Sequence, residues 1–303
     1  MRHGKYPFII GFLVLPVVLY AVYVIGPFAQ AFQLSLTRWS GFGTPVNVGF
    51  DNFKTLLTVD TNFWPAVEHN LWALLVMPVV TIAIALFLAF MLNVGGKTRG
   101  GIASGVWGSK FYRVVFFLPQ VLAVPIIGVL FQAVYRPDKS GLVGGTLSLI
   151  GVEPVGFLTD KHLALWSILA VGVWQAVGFY VVLFSAAMSS LPGELFEAAA
   201  LDGATRATMF FRITIPLLRE TVQVAWVYLG VAAFDLFALV NVLSIDQGGP
   251  DGATTVLSEQ IYLNAFKYSK AGYASAMGVA LFIMTLTFAA LIMRTTRREQ
   301  IEY

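Results

Sequence analysis

A chain of 303 residues with 58% hydrophobic and 12% charged residues carries about half the charge of an average soluble domain. Together with a mean hydropathy of +0.78, this composition excludes an ordinary soluble enzyme and predicts a polytopic helical membrane protein. The net charge of +3 indicates membrane topology rather than nucleic-acid binding, and the absence of Cys excludes disulfides and thiolate metal sites.

Six apolar stretches are long enough to cross a bilayer, which takes roughly 20 helical residues. They cover 8–29, 71–92, 114–135, 163–191, 217–245 and 271–293. Backbone polar groups inside lipid need internal partners, so these stretches predict an all-α fold of six transmembrane helices. The first stretch exceeds a typical signal-peptide core, and we expect it to remain as a span. Kinks are expected at the prolines within the spans, which are Pro16, Pro27, Pro78, Pro119 and Pro125.

The distribution of Lys and Arg predicts the orientation, because these residues are enriched in cytoplasmic loops. If the N-terminus is inside, twelve of the nineteen lie on the cytoplasmic side, namely Arg2, Lys5, Lys97, Arg99, Lys110, Arg113, Arg206, Arg212, Arg219, Arg294, Arg297 and Arg298. The other seven lie outside, namely Arg38, Lys54, Arg136, Lys139, Lys161, Lys267 and Lys270. We therefore expect one membrane domain over 1–303 with both termini in the cytoplasm.

The segment at about 190–216, between the fourth and fifth spans, is polar and compact. Its acidic residues Glu194 and Glu197 lie near the start of a predicted short helix, where negative charge is favoured. Gly203 ends this helix because Gly readily adopts the left-handed conformation, and Asp202 is expected to cap a second helix. The residues predicted to contact a partner are Glu194, Glu197, Ala198, Ala199, Asp202, Gly203 and Ala204. The pattern fits either an amphipathic turn at the membrane surface or a docking element whose acids pair with basic residues.

The run 190–204, with Phe210, Ile213 and Ile215-Pro216-Leu217 after it, resembles the EAA loop of ATP-binding cassette (ABC) importer permeases. The resemblance implies the type I importer transmembrane fold. It also implies that 197–203 form a coupling helix on a separate ATPase subunit, which holds ATP and Mg²⁺, so that this chain needs no cofactor. Glu220 departs from the family pattern, where many members have Pro, and this concerns only the start of the fifth span.

Further motifs resemble the first permease subunit of carbohydrate importers of the maltose and glycerol-phosphate type. They are Arg113-Val114-Val115-Phe116-Phe117-Leu118-Pro119, Val173-Trp174-Gln175, Phe234-Asp235-Leu236, Gly248-Gly249-Pro250 and Gly272-Tyr273-Ala274-Ser275-Ala276-Met277. The opening His3-Gly4-Lys5-Tyr6 resembles actinobacterial amino-sugar permeases. The resemblance implies a prokaryotic cytoplasmic membrane, a second permease, two ATPase copies and an extracytoplasmic binding lipoprotein. The implied cargo is a mono-, di- or oligosaccharide, with N-acetylglucosamine and chito-oligosaccharides among the candidates.

Asp235 is an acid inside a span, where insertion costs about 2.5–3.5 kcal/mol. Such an acid faces a water-filled cavity or pairs with a residue of a neighbouring span, and both alternatives remain open for Asp235. In the first case its carboxylate would accept hydrogen bonds from sugar hydroxyls. The predicted pathway residues are Trp174, Gln175, Phe234, Asp235, Phe237 and Asn241, with Tyr180 as a further wall. For Trp174, simple packing between helices is favoured over a role as a platform for the sugar.

Other functions are also compatible with a membrane protein of this composition. A stand-alone secondary transporter would need inverted repeats and ion-coupling acids near the midplane, and a membrane enzyme would need convergent titratable groups. The sequence shows neither, and no catalytic residue is predicted. His3, His69 and His162 are too scattered to indicate a metal site. Within the importer class, glycerol 3-phosphate and peptides are the alternative cargoes.

Overall fold

The structure is a computed structural model that describes residues 5–94 and 105–295, with side chains over 9–94 and 105–294. Some residues used in the predictions lie outside this part of the chain, namely Arg2, His3, Gly4, Lys97, Arg99, Arg297 and Arg298. The structure therefore does not describe five of the Lys and Arg residues that support the predicted orientation, and the orientation stays a prediction.

The described chain is mostly helical, with one short hairpin. The helices of the first half are α1 (Lys5–Tyr20), α2 (Gly26–Ser35), α3 (Asp51–Thr58), α4 (Phe63–Val94), α5 (Ser109–Val121), α6 (Val124–Val134) and α7 (Leu142–Leu149). Those of the second half are α8 (Ala164–Ser189), α9 (Gly193–Leu201), α10 (Arg206–Thr208), α11 (Ile215–Leu217), α12 (Arg219–Phe234), α13 (Phe237–Leu243), α14 (Leu257–Tyr262) and α15 (Ala271–Thr295). Strands β1 (Thr37–Arg38) and β2 (Val46–Asn47) pair antiparallel. Short π-helical segments cover Ala21–Ile25, Met209–Thr214 and Leu263–Lys267, and a 3₁₀ turn covers Pro250–Gly252.

Candidate spans agree with the six-span prediction. Four continuous helical stretches are long and apolar enough to cross a membrane, namely Ile9–Ser35, Phe63–Val94, Ala164–Ser189 and Ala271–Arg294. Two bent helix pairs, Ser109–Val121 with Val124–Val134 and Arg206–Leu217 with Arg219–Phe234, bring the number to six when each pair counts as one span. The single domain over 1–303 stays a prediction.

Two of the predicted spans are broken rather than straight. The third bends by 97° between α5 and α6, where Leu122 and Ala123 are extended. The kinks predicted at Pro119 and Pro125 explain this break, because Pro119 lies in the last turn of α5 and Pro125 in the first turn of α6. The fifth span bends by 72° at Leu218, and its helix ends again at Phe234.

The described residues fall into two compact units along the chain. The first contains residues 5–64 and 260–284. In it, the Phe28 ring lies 4.9 Å from that of Phe282, which packs α2 on α15. Gly272 permits a close approach of α15 to β1, because a Cβ at this position would lie 2.1 Å from the Thr37 carbonyl oxygen.

The second unit contains residues 65–94, 105–259 and 285–295. Its core joins α4, α8 and α12 through large buried side chains such as Phe90, Phe184 and Leu229. Helices α5 and α8 touch at the backbone, since a Cβ on Gly178 would lie 1.8 Å from the Phe116 carbonyl oxygen. This unit holds the residues predicted to act in docking and transport.

Candidate functional site

Helix α9 occupies the segment in which the sequence predicts the docking helix. Pro192 is its N-terminal cap, and Glu194 lies in its first turn. The helix ends in a Schellman arrangement: the Ala204 N–H donates to the Ala199 carbonyl at 2.9 Å, and the Gly203 N–H donates to the Ala200 carbonyl at 3.1 Å. The predicted stop at Gly203 is confirmed by its φ of +77°.

The second predicted cap is wrong in its residue. Thr205, not Asp202, caps the following helix, and its hydroxyl accepts a hydrogen bond from the Thr208 N–H at 3.2 Å. The physical reason is that Gly203 and Ala204 complete the Schellman turn, so the next helix begins only at Arg206. The second helix predicted after Gly203 is present, but it consists of α10, a π-helical segment over Met209–Thr214 and α11.

A single aromatic side chain anchors α9 to the second unit. Phe196 is 5% exposed and belongs to the same buried cluster as Phe90, Phe184, Met209 and Leu218. The other faces of α9 are open: Glu194, Ala198, Asp202 and Gly203 are exposed, while Glu197, Ala199 and Ala204 are half-buried. Leu201, which the sequence analysis did not select, is 90% exposed. A helix anchored by one buried ring and by the half-buried Ala199, with exposed small, acidic and apolar groups, is suited to bind a partner.

A cavity of about 400 Å³ lies beside the break in the fifth span. Helices α4, α5, α6, α8, α12 and α13 all contribute to its walls. The predicted residues Gln175 and Asp235 line it, and so does Tyr180. Gln120 and Tyr228 line it as well, although the sequence analysis did not select them. The cavity therefore presents amide, phenol and carboxylate groups, and its lining contains no Lys, Arg or His.

The remaining predicted pathway residues lie elsewhere. Trp174 faces a separate apolar groove, where its ring lies 5.1 Å from that of Phe131. Phe234 is buried and packs at 6.3 Å against Phe288. Phe237 and Asn241 lie on α13 and do not line the cavity. The structure thus brings together two of the six predicted pathway residues.

Asp235 is the residue at which α12 ends, with φ of −104° and ψ of 61°. Its side chain is exposed, and neither of the two ion pairs found among the described residues includes it. The structural alternative, a salt bridge to a neighbouring span, therefore finds no partner in the described part of this chain.

Asn70 satisfies the backbone around this break. Its side-chain amide donates to the Ala233 carbonyl at 3.0 Å, and its side-chain oxygen accepts from the Leu257 N–H at 2.9 Å. Beside it, His69 Nδ1 lies 2.7 Å from the Thr255 carbonyl oxygen and must carry the proton there, since that oxygen only accepts. The fully buried side chain of Asn70 on α4 thus connects the end of α12 to the start of α14.

Glu259, on α14, is a further group that the sequence analysis did not select. It is fully buried, and neither carboxylate oxygen has a hydrogen-bond partner among the described residues. Burial raises the pKa of this carboxyl to about 7.

Comparison with known proteins identifies the class of this chain. The profile of a family described as "Binding-protein-dependent transport system inner membrane component" matches residues 71–298. The diacetylchitobiose uptake system permease protein NgcF of Streptomyces coelicolor is 39% identical over 301 residues, which cover 98% of this chain and 84% of that protein. The multiple sugar-binding transport system permease protein MsmF of Streptococcus mutans is 30% identical, over 96% of this chain and 95% of that protein. A bacterial alginate ABC transporter crystallised with its alginate-bound periplasmic protein shares the fold, with a TM-score of 0.80 at 23% identity, over 98% of this chain and 96% of that chain.

Proposed function

This chain belongs to the family of binding-protein-dependent transport system inner membrane components, and we propose that it is the first permease subunit of an ATP-driven sugar importer. The observation that carries the proposal is the exposed, Schellman-terminated helix α9, which Phe196 anchors in one buried cluster with residues of α4, α8 and α12. The family consists of transport components, so ATP and Mg²⁺ would be bound by a separate ATPase subunit.

In this proposal, α9 docks into the ATPase and carries its movement to the spans. Exposed Ala198 and Gly203 allow a partner backbone to approach closely, and Glu194 and Asp202 offer charge-assisted hydrogen bonds to basic residues. Because Phe196 and Leu218 share one buried cluster, a displacement of α9 would reach the start of α12 directly.

The cavity beside Asp235 is the proposed sugar pathway of this chain. Gln120, Gln175, Tyr180 and Tyr228 supply neutral donors and acceptors, and Asp235 supplies a carboxylate acceptor. A lining with one acid and no cation favours a neutral, hydroxyl-rich cargo over glycerol 3-phosphate, whose phosphate would meet like charge. The 39% identity to a diacetylchitobiose permease supports an N-acetylglucosamine disaccharide as cargo.

The proposed assembly contains this chain, a second homologous permease, two ATPase copies and an extracytoplasmic binding lipoprotein. The excess of basic residues on one side supports a position in the cytoplasmic membrane with α9 and both termini inside. In such an arrangement, ATP binding would draw the coupling helices together, and hydrolysis would reset them.

Uptake of labelled diacetylchitobiose by cells that express the whole transporter tests the proposal. We expect Ala198→Glu to abolish ATP-driven uptake while membrane insertion is retained, because added bulk and charge block docking. Ala198→Ser is the matched control and should transport normally. Full uptake by the Glu variant would argue strongly against the docking role.

A second variant tests the pathway separately from docking. Asp235→Asn should leave assembly with the ATPase intact and reduce uptake, whereas lost assembly would mean a structural role. The alternative of a secondary transporter is tested in the same cells. Uptake by this chain alone that follows a proton or sodium gradient would favour that alternative.

A further inference from the structure

A second cavity, of about 700 Å³, lies within the first unit and takes no part in the pathway proposed above. Its volume falls within the range of small-molecule sites. Its walls come from the hairpin and α3, from the loop after α3, and from residues 260–273. These segments belong to two connections, one between the first and second spans and one between the fifth and sixth. By the topology proposed above, both connections lie on the extracytoplasmic side.

The walls of this cavity are fixed by hydrogen bonds within the first unit. The Trp39 carbonyl accepts a hydrogen bond from the Gly272 N–H at 3.0 Å. The indole N–H of Trp39 donates to the Gly43 carbonyl at 3.0 Å. The Tyr273 hydroxyl donates to an Asp60 carboxylate oxygen at 2.5 Å. The rings of Trp39 and Tyr273 are already fixed by these hydrogen bonds. A ligand that packs on them would therefore bind with little entropic cost for ordering the side chains.

Two buried amides face this cavity with unused hydrogen-bonding capacity. Gln260 and Asn264 are each 7% exposed, and both line the cavity. The Gln260 side chain has no hydrogen bond to any described residue. The Asn264 side-chain nitrogen donates to the Gln260 carbonyl at 2.9 Å, while its oxygen accepts no hydrogen bond from the described part of the chain. Neither amide is among the fully buried polar atoms that lack a partner, so their free donors and acceptors open into the cavity and are available to hydrogen-bond a polar ligand.

The charges and rings of the lining define the class of that ligand. Arg38 and Lys270 are balanced by Asp51 and Asp60, which leaves no net charge to select an ion. Trp39, Tyr268 and Tyr273 supply aromatic surface, which suits the apolar C–H faces of a sugar ring. We propose that this cavity is an outer binding site for a neutral di- or oligosaccharide, separate from the cavity at Asp235. The choice of a sugar rests on the proposed function, whereas the neutrality rests on the lining.

Calorimetric titration of the complete permease–ATPase complex tests this site. The complex is placed in lipid nanodiscs without the binding protein and titrated with diacetylchitobiose, with cellobiose, and with an acidic uronic-acid disaccharide. We expect saturable binding of a neutral disaccharide and at least tenfold weaker binding of the acidic one. Gln260→Leu should lower the affinity for the neutral disaccharide about tenfold, because it removes the hydrogen bonds that one amide makes to the ligand.

Two further variants keep the outcome interpretable. Gln223→Leu makes the same change on α12, outside both cavities, and should bind as the unmodified complex does. Asn62→Ala removes an exposed lining side chain and should weaken binding even if Gln260→Leu fails to assemble. Binding that survives both Gln260→Leu and Asn62→Ala would overturn the proposal, and so would the absence of saturable binding. In a separate titration the binding protein is added to the same complexes; if it fails to dock to these variants while their sugar affinity is unchanged, the proposal is overturned and the cavity belongs to the surface for that protein. Because uptake by cells is measured independently, failure of this site leaves the proposed transport function standing.

Discussion

Asn70 gives the sharpest test of how the fifth span is held open at Asp235. Replacement by Leu keeps a similar volume but removes both hydrogen bonds, to the Ala233 carbonyl and to the Leu257 N–H. Each backbone group left buried and unpaired costs about 1–3 kcal/mol. We therefore expect Asn70→Leu to lower the free energy of unfolding by about 2–6 kcal/mol, measured by denaturant titration of the purified complex in mixed micelles.

Two comparisons separate this mechanism from a general effect of substitution. Asn70→Asp keeps an acceptor for the Leu257 N–H but loses the donor to the Ala233 carbonyl, so its loss should be smaller than that of the Leu variant. Asn241→Leu makes the same change at an exposed position of α13 and should lie within about 0.5 kcal/mol of the unmodified protein. If Asn70→Leu and Asn241→Leu proved equally stable, the anchoring role of Asn70 would be refuted.

Three further predictions concern other positions. Burial raises the pKa of Glu259 in the folded state to about 7, against an ordinary value near 4.3. Between these two pH values the folded state keeps its proton while the unfolded state loses it. The free energy of unfolding should therefore fall by up to about 3 kcal/mol as the pH rises from about 4.3 to about 7. Glu259→Gln should flatten that slope in thermal melts from pH 4.5 to 7.5, and an unchanged slope would contradict the burial argument. Gly178→Ala would press a Cβ against the Phe116 carbonyl and should cost about 3 kcal/mol or more, whereas Gly278→Ala, with nothing within 4 Å, serves as the neutral control in the same melts. Thr205→Ala should lose about 1 kcal/mol of helix capping, seen as faster local hydrogen exchange after α9, while Thr205→Ser should retain protection; equal exchange in both would reject the cap.

Local signals in the sequence were sufficient to predict the spans and the helix α9. Long apolar runs specify spans because lipid leaves the backbone no other solution, and Gly203 marks a helix end because of its left-handed conformation. The sequence could not show which of the apolar residues of α9 points inward. A helix of nine residues is too short for its periodicity to distinguish buried Phe196 from exposed Leu201.

The pathway was harder to predict because its residues come from helices far apart in sequence. Asp235 was recognisable as an acid within an apolar run, and Gln175 as a polar residue in another. Gln120 carries the same signal, a polar side chain within the predicted span 114–135, and the structure adds it to the lining. Trp174 is adjacent to Gln175 but faces another groove, since neighbours on a helix point about 100° apart.

Helix α12 connects the two parts of the candidate site. It starts after Leu218, which is buried with Phe196 of α9, and ends at Phe234, beside Asp235. Its 16 residues span about 24 Å, and a backbone break lies at each end. A helix between two breaks moves as a rigid body more easily than it bends, so displacement of α9 would shift the carboxylate side of the cavity. Asn70 holds the far end of α12 to α4, and movement there must pivot about this bond or break it. Uncoupling by Ala198→Glu and destabilisation by Asn70→Leu therefore act on opposite ends of one helix.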